Sequence, residues 1–304
     1  MKTSVQSQSP LMGVGLVVLA MVIIGLIDNY IRVIAEDAGV WQFHMLRSLM
    51  ICALLGALAL AFGWRARPVH WRPVVLRSFL FSSSMVLYFG AAGMLPIAQV
   101  GAGLFSSPIW VLVVSVLFLG TRVGLWRVVA VAIGFSGVIL ILKPNATDLS
   151  LLTFLPVIAG LLYALAAIST RRWCGAESTT TLLFGLFIGL GIWGALGLIW
   201  FAIFPPSAEF AAEFGFFAQG WVTPTPRFWA LTFMQASVSL VAVGALTRGY
   251  QMVEVSFVTV FEYTFLISAA FWAYLLYGDI LDPRSAIGIG LIIVAGVIIA
   301  LRSR

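Results

Sequence analysis

Residues 262–301 read EYTFLISAAFWAYLLYGDILDPRSAIGIGLIIVAGVIIAL, and residues 104–142 read LFSSPIWVLVVSVLFLGTRVGLWRVVAVAIGFSGVILIL. Each stretch is a pair of apolar runs joined by a short turn. Gly120 aligns with Gly278 and, after one extra residue, Gly137-Val138-Ile139 aligns with Gly296-Val297-Ile298. Self-similarity at this scale points to a duplicated architecture. The later copy opens on Glu262, a carboxylate in a run otherwise suited to hydrocarbon.

The whole chain has the same character. Of its 304 residues, 62% are hydrophobic and only 9% charged, with a mean hydropathy of +1.09, beyond the apolar fraction of soluble domains. This is the composition of an integral, all-α membrane protein. Apolar windows predict ten spans at roughly 11–32, 42–62, 73–93, 97–119, 125–142, 151–171, 180–203, 229–248, 254–277 and 284–302. The first run leads from Leu11 through Ile27 into Asp28-Asn29-Tyr30, not into a small-residue cleavage site, and is read as a retained helix. Cys52 and Cys174 fall in or beside apolar runs and read as packing residues, not as a disulfide framework.

A pI near 9.7 would suggest nucleic acid in a soluble chain. Here the basic residues give the topology. Lys2, Arg65, Arg67, Arg72, Arg77, Arg122, Arg127, Arg171, Arg172, Arg248, Arg302 and Arg304 fall at one set of span ends, and only Arg32, Lys143, Arg227 and Arg284 at the other. The positive-inside rule then places both termini in the cytoplasm of a multi-pass inner-membrane protein. Its surroundings are the lipid bilayer, and nucleic acid is excluded as a partner. The connection at 204–227, FPPSAEFAAEFGFFAQGWVTPTPR, is extracytoplasmic on this topology. Phe210, Phe214 and Phe217 at helical spacing predict a short helix on the membrane surface, with a gating lid as the sharper alternative. Asn145-Ala-Thr147 fits a glycosylation triplet that is common by chance.

Five spans per half is an odd number, so the two copies, residues 1–145 and 146–304, must be inverted in the membrane. Inverted repeats around a midplane site are the architecture of many secondary transporters. Arg47 within HMLRSLMICALL, together with LPIAQVGAGLFSSPIWVLVVSVLFLGTRVGLWRVVAVAIGFSGVILIL and GDILDPRSAIGIGLIIVAGVIIALR, resembles the EamA type of the drug/metabolite transporter superfamily. The resemblance covers nearly the whole chain and implies ten helices in two five-helix bundles around a central cavity. ALTRGYQMVEVSFVTVFEYTFLISAAFWAYLLYGD further resembles a branch with carriers for riboflavin and S-adenosylmethionine. Thr121 stands where the family usually has an acidic residue, Asp279 keeps its partner in the second half, and Val260 stands where the branch often has proline.

An ionisable group in the bilayer core costs about 2.5–3.5 kcal/mol on insertion scales and marks a candidate site. Glu262 lies eight residues after Glu254, roughly 12 Å into the core at the helical rise. It is expected to act as countercharge for a cationic substrate group or as a coupling proton site; a neutral carboxyl bonded between helices is the structural alternative. Arg47, permanently charged, is expected to bind an anionic group; the structural alternative is a pair of Asp28 with either Arg47 or Arg32, which shares its helical face. His44 is one turn before Arg47. Tyr88, Gln99, Ser106, Trp110, Tyr163, Gln235, Ser239, Tyr263 and Trp272 complete the expected cavity lining, each with packing as its plainer role. Pro108 frees the carbonyl of Leu104 and predicts a bend or hinge.

No enzyme is expected. GFSG at 134–137 resembles a rhomboid-type serine motif, but only His44 and His70 exist and neither lies downstream as a base. Neither a phosphate-binding loop nor a metal-ligand constellation appears in the sequence, so no cofactor or metal is expected. Gly185-x-x-x-Gly189 serves intramolecular packing or a homodimer contact. The sequence therefore predicts a secondary transporter of a small amphiphilic metabolite, proton-coupled or exchanging, with a passive channel or lipid scramblase as the alternative.

Overall fold

The structure is a computed structural model that describes residues 10–92, 95, 97–120, 124–142, 151–280 and 282–302. Among the described residues every regular element is helical. In chain order these are α1 (Pro10–Ile27), α2 (Ile31–Asp37), α3 (Val40–Phe62), α4 (Trp71–Ala92), α5 (Ile97–Leu104), α6 (Ser107–Leu117), α7 (Leu125–Leu142) and α8 (Leu151–Arg172). There follow α9 (Thr179–Ile203), α10 (Ala208–Glu213), α11 (Gly215–Ala218), α12 (Pro226–Met252), α13 (Val255–Val258), α14 (Thr264–Tyr277) and α15 (Pro283–Arg302).

Among the described residues seven helical segments are long and apolar enough to cross a membrane; three more, in α6, α7 and α15, are apolar but shorter. The window expected at 97–119 is broken between α5 and α6, where Phe105 and Ser106 precede Pro108. Proline fits the first turn of a helix because it has no N–H to leave unpaired, so the chain stops and restarts there. The span at 254–277 is likewise interrupted: α13 passes into a tighter 3₁₀ turn at Thr259–Tyr263 before α14 begins. A third such turn, at Asp28–Tyr30, separates α1 from α2.

The termini follow local chemistry. Ser178 and Thr225 cap α9 and α12 by accepting from the N–H groups of Thr181 and Phe228, each at 3.0 Å. Gly120 and Gly278 follow the interrupted spans with φ of 61° and 71°, a left-handed conformation that a side chain would strain.

In lipid, apolar burial does not drive helices together, so close approach of small residues does. The most extensive pairings are α7 with α15, α3 with α9, α4 with α8 and α1 with α12. A Cβ on Gly288 would meet the Gly137 carbonyl at 2.6 Å, which fixes how closely α7 and α15 lie. Gly189 likewise faces Ser82 of α4, where a Cβ would meet its Oγ at 2.8 Å, and Gly185 faces Ser78. The GxxxG pair is thus used within the chain. The glycines of the GFSG element serve helix packing, Gly134 against Tyr263 and Gly137 against Gly288, while Ser136 Oγ donates to the Ala132 carbonyl of its own helix at 2.9 Å.

The 204–225 connection carries α10 and α11, and the two differ. α10 is exposed along its length, as a surface helix is. The segment from α11 onward is strapped to the start of α3: Trp41 Nε1 donates to the Phe217 carbonyl at 2.7 Å. Gln42 bonds both backbone groups of Val222, at 2.8 and 2.9 Å.

Candidate functional site

Where α1, α3, α4, α8, α9 and α12 converge with the two interrupted spans, they leave a cavity of about 60 Å³. Its wall is mostly apolar and rich in aromatic rings, with Phe81, Phe89, Phe105, Phe187, Phe265 and Met85. Both interruptions reach it, through Leu104 and Phe105 on one side and Phe265 on the other. Sites that enclose a small molecule hold roughly 300–1,000 Å³. The cavity as it stands is therefore closed too tightly to contain a metabolite. A larger cleft of about 810 Å³ lies between α3, α9 and α12 beside Arg65 and Arg248, away from these groups.

Two polar clusters stand at this cavity. The first is built by α1–α2, α3 and α4. The 3₁₀ turn brings Asp28 to the wall, and Tyr88 donates to its Oδ2 at 2.7 Å. Arg47 also lines the wall, within electrostatic reach of Asp28. Its guanidinium lies over the rings of Phe89 at 5.2 Å, Phe43 at 5.4 Å and Phe187 at 5.9 Å, a cation–π cage. Its Nε has no hydrogen-bond partner.

The second cluster joins α8, α12 and the turn before α14. Glu262 is fully buried. Its Oε1 accepts from the Tyr250 hydroxyl, which in turn is bonded to the Tyr163 hydroxyl at 2.9 Å. Only Tyr163 of these three lines the cavity. Glu262 thus reaches the cavity through two hydroxyls, while its Oε2 is left without a partner. A buried acceptor left unmatched is costly.

The other expected residues lie around this centre. His44 is buried behind the wall between Phe43 and Phe89, ring centroids 5.4 and 5.1 Å away, with neither nitrogen bonded. Ser239 lines the cavity. Gln235 donates to the Ile27 carbonyl at 2.6 Å. Tyr263 packs 6.4 Å from Phe105 and against the helix face at Gly134. Trp110 is half-buried with its indole N–H unpaired. Trp272 packs edge-on to Phe271 at 5.3 Å, and neither tryptophan is part of the cavity wall. Pro108 sits at the α5–α6 break. The side chain of Gln99, and the residues Thr121, Lys143 and 145–147, lie outside the described residues.

The expected Asp28–Arg32 pairing is replaced. Arg32 bonds Asp279 at 3.2 Å and stacks on Tyr277 at 2.9 Å from the ring centroid. The 3₁₀ turn winds at three residues per turn, so the helical face that would bring Asp28 and Arg32 together is lost. Two residues escaped the sequence reading. Tyr250 lies just beyond the expected end of its span, and Arg77, counted among loop charges, is fully buried. The signal for Arg77 was its place six residues into α4.

These spans around an enclosed polar site define a multi-pass membrane protein. Residues 11–143 match the EamA-like transporter family. The chain is 28% identical over 233 residues to the riboflavin transporter of Rhizobium johnstonii, covering 75% of this chain and 68% of that one. It is 24% identical to the S-adenosylmethionine uptake transporter of Rickettsia bellii, covering 73% and 69%. Against the pseudopaline exporter CntI of Pseudomonas aeruginosa the identity is 24%, covering 82% and 80%. One solved crystal structure aligns over 96% of each chain with a TM-score of 0.71 at 16% identity, a likeness of fold.

Proposed function

We propose that the protein is a secondary carrier that moves a small amphiphilic metabolite by alternating access. Its frame is ten spans in two inverted repeats, residues 1–145 and 146–304, with both termini on the cytoplasmic side of the inner membrane. The helix pairings support this frame. Exchanging the halves, so that the first span takes the place of the sixth, turns α4–α8 into α12–α1, α4–α9 into α12–α3, and α1–α14 into α8 against α5 and α6; all of these pairs are in contact. The α7–α15 and α3–α9 pairs map onto themselves.

Contacts between span ends support the same arrangement. Arg32–Asp279, Arg227–Asp37 and Trp41–Phe217 join ends assigned to one face. Arg127–Glu254, the bonds of Glu177 to Val69 and His70, and Arg171 to Gln251 join ends assigned to the other.

The observation that carries the reading is the pair of interrupted spans. Aligning Gly120 with Gly278 puts the Phe105–Ser106 break opposite Tyr263–Thr264, where the second interruption ends. Interrupted helices at matching positions of two halves are the best pointer to a carrier's binding site. Asp28 and Arg47 offer opposite charges to a ligand within an aromatic wall, which suits a molecule with charged groups and a ring or apolar body. The relatives are named for riboflavin, S-adenosylmethionine and pseudopaline. Glu262, behind its tyrosines, is assigned the coupling proton.

Uptake by purified protein in proteoliposomes, across labelled amino acids, riboflavin, S-adenosylmethionine and nucleosides, tests this. Saturable flux that is stimulated by unlabelled compound on the opposite side is expected. Unsaturable leakage of ions or lipid with no carried metabolite would replace the carrier with a channel or scramblase.

A further inference from the structure

Arg77 is a fully buried cation whose three hydrogen bonds all end on neutral oxygens. Nε donates to Thr170 Oγ1 at 3.1 Å, Nη1 to the Leu182 carbonyl at 2.7 Å and Nη2 to Thr247 Oγ1 at 3.4 Å. One side chain of α4 thus ties together α8, α9 and α12. These acceptors lie close along their helices to the cavity wall. On α4, Phe81 lines the cavity and Arg77 is one turn before it; on α9, Leu186 lines it and Leu182 is one turn before. On α12 the wall residue Leu246 adjoins Thr247. The guanidinium also lies 4.9 Å from the Phe81 ring centre, and that ring packs edge-on to Tyr163 at 5.3 Å.

We propose that Arg77 is the latch of the cavity on the side where α4 begins, closing it by holding the first half of the chain against α8, α9 and α12. This rests on the alternating-access reading. A carboxylate partner at this depth would bind Arg77 in an ion pair that costs much to break. Neutral acceptors serve a latch better, because each bond can be exchanged for one to water when the helices part. The opposite end has a different fastening. There the helix that takes the place of α4 in the second half, α12, donates from the neutral amide of Gln235 to the Ile27 carbonyl.

Cys174 reports on the latch. It is a free, fully buried thiol clustered with Val74 of α4 and with Leu182, the residue that supplies Arg77 with its shortest bond. When Arg77 lets go of Leu182, this cluster loosens and the thiol meets solvent. Rim contacts such as Gln251 to the Glu177 carbonyl, 2.8 Å, do not involve Arg77 and remain.

The experiment measures the maleimide alkylation rate of Cys174 in full-length protein carrying Cys52→Ser, with Arg77→Gln, Thr247→Val, Thr170→Val or Gln235→Leu added. Arg77→Gln is expected to speed alkylation by at least roughly tenfold, the factor for losing a hydrogen bond to a charged group. The two threonine variants, which remove one bond each, give smaller increases, and Gln235→Leu gives none. An unchanged rate in a folded Arg77→Gln protein overturns the latch, as does an equal rise with Gln235→Leu. If Arg77→Gln does not fold, unchanged rates in both threonine variants overturn it. Failure here leaves the carrier reading standing if wild-type flux is saturable and trans-stimulated, whereas loss of that flux removes the carrier reading itself.

Discussion

The cavity's two polar clusters differ in charge, in access and in origin. Asp28, Arg47 and Tyr88 come from the first half, carry both signs of charge and stand in the cavity wall. Glu262, Tyr250 and Tyr163 come from the second half, carry one ionisable carboxyl and show the cavity only a phenol. A group that recognises a ligand must touch it, whereas a group that holds a proton needs only a hydrogen-bonded path to it. On the carrier reading proposed above, the difference assigns recognition to the first cluster and coupling to the second, so two similar halves would divide the labour unequally. The matching breaks say the same: where the second half has Glu262, the first has Leu104.

Substitutions that affect one cluster and spare the other sharpen or break this assignment. Arg47→Ala is expected to have the largest effect on binding. Truncating one of two neighbouring buried charges costs about 2–5 kcal/mol, read as a rise in the half-saturating concentration. Tyr88→Phe removes a hydrogen bond to a carboxylate and is expected to weaken binding by about 1.5–3 kcal/mol. Tyr250→Phe should slow gradient-driven flux by roughly tenfold, one charged hydrogen bond's worth, with equilibrium binding unchanged; a binding defect equal to that of Tyr88→Phe would erase the distinction. Gly278→Ala, forcing a side chain into a left-handed turn, should lower stability by about 1 kcal/mol in thermal unfolding. Trp272→Phe, outside the cavity, should change binding by less than about 0.5 kcal/mol.

Much of this was legible in the residues. Glu262 and Arg47 stood out because charge inside hydrocarbon is expensive, and the break between α5 and α6 was foreshadowed at Pro108, whereas the turn at Thr259–Tyr263 was not. Hydropathy windows read the average of a stretch, so they missed where a helix tightens or stops. That is why Arg32 stood beside Arg47 as a candidate partner for Asp28, although it bonds Asp279 instead. It is also why Tyr250 fell outside its span. Arg77 was hidden for a related reason: a basic residue near a span end reads as a loop charge until the neighbouring helices that supply its acceptors are in place. The second cluster joins Tyr163, Tyr250 and Glu262 from separate elements, and only folding brings them together.

The central claim is that the carboxyl of Glu262 couples transport to protons while the Asp28–Arg47 cluster binds the substrate. The most direct measurement is metabolite flux into proteoliposomes with and without an imposed pH gradient, wild type beside Glu262→Gln. The prediction is a gradient response in the wild type that is absent from the mutant, with exchange of the same compound retained. A mutant whose flux still follows the gradient would contradict it and leave Glu262 as a carboxyl that packs between helices.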